Sequence, residues 1–142
     1  MKNIIITSII SLAMLACNPK DEAIPQIESE TTIVSAKTQS ELKSAGEDLK
    51  VQLISVEDSR CPLNANCIWV GSANLKFKVS DGDADMEVHV VFSADKKISG
   101  TQEFKLDGQT YVLAVAEVLP YPETSKTPTL EDYQVKVSVE KK

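Results

Sequence analysis

From residue 31 onward, apolar and polar residues alternate with a period of two over long stretches. Leu75, Phe77 and Val79 alternate with Asn74, Lys76 and Lys78. Met86, Val88, Val90 and Phe92 alternate with Asp85, Glu87, His89 and Val91. Tyr133, Val135, Val137 and Val139 alternate with Gln134, Lys136 and Ser138. Successive side chains of a strand point to opposite faces, so each run predicts a strand with one core face and one wet face. Residues 110–119 are apolar on both faces, with Tyr111, Leu113 and Val115 on one and Val112, Ala114, Ala116 and Val118 on the other. That pattern predicts a central strand covered on both sides. Residues 49–56 change phase at Leu53-Ile54, which predicts a bulge. Asp107-Gly108 is a two-residue hairpin signal, and residues 80–84 join two clean strands as another. Pro120, Pro122 and Pro128 punctuate a long loop before the last strand. The pattern allows at most one helical turn, at residues 40–45. Short strands with turns between them predict an all-β fold, an immunoglobulin-like Greek-key β-sandwich of about seven strands formed by residues 31–142.

The first thirty residues break this pattern. Met1-Lys2-Asn3 carries one positive charge, and residues 4–16 are apolar except for Thr7, Ser8 and Ser11. A membrane-spanning helix needs about 20 apolar residues. The run therefore has the length of a signal-peptide core. Ordinary signal peptidase wants small residues at −1 and −3, and Met14 is not small. Met14-Leu15-Ala16-Cys17 instead resembles a lipobox, where bacterial lipoproteins are lipidated on cysteine and cleaved before it. It keeps the small residue followed by Cys and departs from the usual Leu and small residue at Met14 and Leu15. The resemblance implies that residues 1–16 are a lipoprotein signal peptide and that Cys17 is the acylated first residue of the mature chain. Two or more acyl chains anchor stably. Residues 17–30, with two prolines and no periodicity, read as a flexible tether. Lys20-Asp21-Glu22 resembles the export signal of Bacteroidota lipoproteins, a lysine followed by two acidic residues. It implies the outer face of the outer membrane, with the periplasmic face as the alternative.

Charge and cysteines narrow the function. Cleavage before Cys17 leaves fourteen basic against twenty-one acidic residues, a net charge of −7. There is no basic cluster, which argues against a nucleic-acid partner. With Cys17 lipidated, Cys61 and Cys67 remain in an oxidising compartment and are expected to form a disulfide. A metal pair needs more ligands, and the only histidine is His89.

Residues 57–71 hold the only arginine, the only tryptophan and both remaining cysteines. Asp58-Ser59-Arg60-Cys61-Pro62 followed by Cys67-Ile68-Trp69-Val70-Gly71 resembles a D-S-R-C-P, C-x-W-x-G signature of small uncharacterised lipoproteins of Bacteroidota and related bacteria. The likeness runs on through Gly108 to Tyr111, the prolines near 120 and the Asp132-Tyr133 strand start. It implies a fold and no particular activity. Two physical readings apply. In the first, the segment is a stapled corner of the core: Trp69 packs on the disulfide, Arg60 forks onto Asp58 or loop carbonyls, Pro62 stiffens the loop and Gly71 allows a bend. In the second, residues 62–66 form a rigid loop displayed for binding.

Ser-His-Asp and Cys-His catalysis both need a histidine base, and His89, the only one, sits mid-strand on a polar face. Asp81, Asp83 and Asp85 have the spacing of a calcium loop without its glycine or terminal Glu; a hairpin turn with solvated acids accounts for them better. An enzyme would require a deep pocket lined by two or more of Glu57, Asp58 and His89. The expectation is a non-catalytic, lipid-anchored binding or structural module of the envelope without a cofactor, its partner an unknown envelope or extracellular protein or ligand. The alternative is a protease-inhibitor-like module presenting the 61–67 loop through Leu63 and Asn64.

Overall fold

Eight strands carry the chain in the computed structural model, which describes residues 30–44, 46–95 and 100–142. They are β1 (Thr32–Ser35), β2 (Ser40–Ser44), β3 (Glu47–Asp58), β4 (Ser72–Ser80), β5 (Asp85–Ser93), β6 (Thr101–Leu106), β7 (Gln109–Leu119) and β8 (Gln134–Lys141). Two four-stranded antiparallel sheets result, ordered β1-β8-β7-β6 and β2-β3-β4-β5. Their inward faces supply one core, in which Phe77, Leu49, Val51, Leu53, Leu113, Val135 and Val137 are fully buried. The β-sandwich expected from alternation is present. The expected signal peptide at residues 1–16, the expected acylation site Cys17 and the expected export signal Lys20, Asp21 and Glu22 lie outside the described residues.

Several details differ from expectation. The sandwich has eight strands, because the short β1 and β2 carry too few apolar residues to show as periodic runs. Residues 40–44 form β2 and not a helical turn; Leu42 and Ser44 face inward against Leu49. Hydrogen-bonded neighbours are consecutive in the chain except where β1 pairs with β8, a strand it does not follow. β7 is central but covered on one face only: Val112 and Ala114 are half-buried and Ala116 is exposed. A bulge between Val115 and Glu117 flips the phase and turns Val118 inward. The bulge expected near Ile54 lies between Leu53 and Ser55.

The two ends of the sandwich differ in character. One end has tight turns at 81–84 and at Asp107-Gly108, with φ of 45° and 75° at the two residues of the latter, the mirror-image turn that suits a twisted hairpin. Asp81 caps its turn by accepting the Asp83 and Ala84 amides at 3.0 and 2.8 Å. The other end carries the long connections 59–71 and 120–133. Every exposed large hydrophobic among the described residues lies in that half: Ile33, Leu63, Ile68, Trp69, Val70, Val91, Leu119 and Leu130.

Candidate functional site

The site is built where β3 runs past its ladder. The Ser59 amide donates to Ser72 O at 2.9 Å and the Cys61 amide to Val70 O at 2.8 Å, so the β3–β4 hairpin continues two rungs beyond the sheet. Gly71 closes this narrow crossing with φ of +71°; a Cβ there would lie 2.0 Å from Ser59 O and 2.8 Å from Arg60 Cα. The expected bend is therefore a close backbone contact that only glycine allows.

Alternation directs Arg60 inward, and it is 3% exposed. A buried guanidinium is tolerated only if its charge and donors are satisfied. Here Nε donates to Asp58 Oδ1 at 2.9 Å and Nη2 to Oδ2 at 2.6 Å, a two-bond fork. Asp58 Oδ1 also accepts the Arg60 backbone amide at 3.1 Å, and the Tyr133 hydroxyl donates to Oδ2 at 3.1 Å. Nη1 donates to Val118 O at 2.8 Å and Nη2 to Pro120 O at 2.9 Å. The guanidinium carbon sits 4.6 Å from the Tyr121 ring centroid, within cation–π range. Arg60 thus ties the end of β3 to the end of β7 and the loop after it, and its partner Asp58 adds the residue before β8. Among the described residues no buried side-chain polar atom lacks a partner.

Beyond Arg60 the loop is fixed twice more. Cys61 and Cys67 form the expected disulfide, and the Ala65 amide closes a tight turn onto Pro62 O at 3.1 Å. The Leu63 amide donates to Pro122 O at 3.0 Å. Asn64 grips Thr124 with both ends of its amide, donating to Oγ1 at 2.7 Å and accepting the Thr124 amide at 2.9 Å. The second half is held at Cys67 by the disulfide and at Val70 by the Cys61 amide, and its large side chains face solvent. Trp69 is 64% exposed and Leu63 69%, while Ile68 is fully exposed. The expectation that Trp69 packs into a stapled corner is corrected. The disulfide itself is exposed at Cys67, so it offers no interior for an indole. Core and display readings apply to different atoms of one segment. Asp58, Arg60 and Gly71 brace, Pro62 opens the turn, and the residues around Trp69 are shown to solvent.

Glu57 and His89 do share a depression, with Ser55, Asn74 and Lys76, of about 290 Å³ on the outer face of the second sheet. It lies across neighbouring residues of β3, β4 and β5. No hydrogen bond joins His89 to Ser55 or Glu57, and Asp58 points the other way into the Arg60 network. The residues that sequence reasoning missed are Tyr121, Tyr133 and the carbonyls of Val118 and Pro120. Tyr133 was legible as a core residue, but its hydroxyl's partner was not.

The network sets the acid and alkaline limits of stability. Burial pushes the Asp58 carboxyl up, but the Arg60 hydrogen bonds and charge, with Tyr133, outweigh it and hold the pKa below the usual value. Asp81 and Asp132 are also held low, by turn and cap hydrogen bonds. Such groups contribute fully above their unfolded pKa near 4 and lose that contribution as pH falls through the folded value. Burial and the Asp58 charge raise Tyr133 to about 12, and burial with a Glu47 hydrogen bond raises Tyr111 to about 12. Raised phenols contribute fully below their unfolded pKa of 10.0, and this is lost as pH rises toward about 12. Melting temperature against pH is expected to be flat between these limits and to fall on both sides. Tyr133→Phe should make the alkaline limb shallower, leaving the Tyr111 part, and an unchanged limb would contradict this.

The disulfide closes a seven-residue loop, worth at most about 2.4 kcal/mol by chain entropy. Since Asn64, Leu63 and Arg60 hold the loop independently, replacing both Cys61 and Cys67 with Ser should cost no more than that. Denaturant titration checks it; loss of the folded state would mean that the disulfide, and not Arg60, is the main brace. In comparisons with known proteins, no family model, no curated protein and no solved structure matches the chain.

Proposed function

We propose that the chain is a lipid-anchored envelope module, attached through acylated Cys17, exported to the outer face of the outer membrane and non-catalytic. Its working surface is the loop between β3 and β4. The observation that carries this reading is the combination of a rigidly braced loop with bulky apolar side chains left outside. Leu63, Ile68, Trp69 and Val70 stand exposed on a segment held by a disulfide, a buried Arg60 and the Asn64–Thr124 pair. Exposed clusters of this kind mark contact surfaces. Preorganisation lowers the entropy lost on contact, and tryptophan is enriched among residues that dominate binding.

The protease-inhibitor reading draws support from the exposure of Leu63. It is the weaker of the two. A protease takes its ligand as an extended strand, whereas residues 62–65 form a tight turn and Asn64 is committed to Thr124. The test is a photo-crosslinking residue at position 69 in cells making the full chain, with Cys17→Ser alongside. A discrete adduct, to protein or to lipid, and release of the Cys17→Ser chain from membranes, are expected. No adduct contradicts the working surface; unchanged membrane retention contradicts the anchor.

A further inference from the structure

The apolar surface has a shape and a starting point. Ile33 on β1 and Leu119 at the end of β7 flank a small groove, which adjoins a larger one of about 510 Å³ between Leu119 and Leu63; both are lined by Leu119 and Gln134. A strip of exposed hydrophobics therefore runs from β1 to the stapled loop that carries Ile68 and Trp69. β1 is the strand into which the N-terminal segment leads, so the strip begins beside the root of the tether.

We infer that the strip and the loop tip lie against the lipid surface on which the protein is anchored, with Trp69 and Ile68 in the headgroup layer. This inference rests on the proposed acylation of Cys17. The fourteen residues from Cys17 to Glu30 can span at most about 45 Å, and the strip starts three residues beyond Glu30, so the chain length allows the contact. An anchored domain meets its own membrane at a high effective concentration, which makes a weak contact effective. The composition fits an apolar contact and not an electrostatic one. Residues 61–71 carry no charge, so lowering them into the interface desolvates no ion. The charges along the grooves are mixed: Glu117, Glu123 and Asp132 against Lys126 and Lys136. Tryptophan with aliphatic neighbours is the residue set that favours the membrane–water boundary.

Trp69 is the only tryptophan in the chain and reports its own surroundings. The acylated mature protein is reconstituted into phosphatidylcholine vesicles, with and without brominated acyl chains, and floated on a density gradient. The expected result is co-flotation, a blue-shifted Trp69 emission that brominated lipid quenches strongly, no change with added salt, and clear loss of quenching in Ile68→Ser. Protein that floats while Trp69 stays red-shifted and unquenched overturns the lipid contact and leaves the anchor standing. Protein that does not float overturns the anchor and this inference with it. A Trp69 that is exposed on vesicles but shielded in intact cells assigns the surface to a protein and overturns the inference.

Discussion

Replacing Arg60 with alanine is expected to lower stability by about 3–5 kcal/mol, the range for removing one partner of a buried ion pair. At this domain size that corresponds to roughly 10–20 °C in melting temperature. The reason is the state of what remains. Asp58 keeps a carboxylate whose side chain is 6% exposed and loses both bonds of its fork. The carbonyls of Val118 and Pro120 lose their donors, and Tyr121 loses the cation above its ring. Arg60→Lys retains the charge but not the planar fork, so it should recover only part of the loss. Asp58→Asn tests the same pair from the other side and should remove the acid limb that Asp58 contributes. Thermal denaturation of the set is the measurement. An Arg60→Ala shift no larger than that of the double cysteine variant would show that the network does not brace this end of the sandwich.

Gly71→Ala is expected to be comparably damaging although it adds one methyl group. The left-handed conformation alone costs an L side chain about 1–2 kcal/mol. The clash adds to it, because a methyl 2.0 Å from Ser59 O cannot be accommodated without parting the two chains. Parting them pulls on the Ser59–Ser72 and Cys61–Val70 rungs and on the Arg60 backbone. The effect should therefore not add to that of Arg60→Ala: the double variant should be less destabilised than the sum, since both dismantle one contact set. Gly46→Ala and Gly108→Ala are the controls. Both positions have positive φ but open space around the added carbon, so they should show the conformational cost alone. Equal shifts at positions 46, 71 and 108 would contradict the close-crossing explanation.

The long strands were legible because burial on one face imposes period two. β4, β5 and β8 bury the residues that alternation selects, and both short hairpins fall where Asp-Gly chemistry and the residues 80–84 placed them. β1 and β2 were not legible, since four or five residues rich in Ser, Thr and Lys carry no periodic signal. Sheet order was not legible either, because alternation fixes faces and not neighbours. At the site, the Asp58–Arg60 fork follows from two residues close in sequence. The remaining Arg60 partners are peptide carbonyls 58 and 60 positions away, and carbonyls leave no mark on a sequence. Trp69 was misplaced because packing on the disulfide assumes a bridge inside the core, and Cys67 is exposed on the loop.

Exposed side chains on a rigid support are the heart of the proposed function, and Trp69 fluorescence can examine both properties at once. In the folded Cys17→Ser chain without its leader, free of lipid, time-resolved anisotropy is recorded with acrylamide titration. The account predicts an indole nearly as open to acrylamide as in the unfolded chain, whose anisotropy nonetheless decays with the tumbling of the whole domain. A shielded indole, or fast local depolarisation of an exposed one, would contradict it.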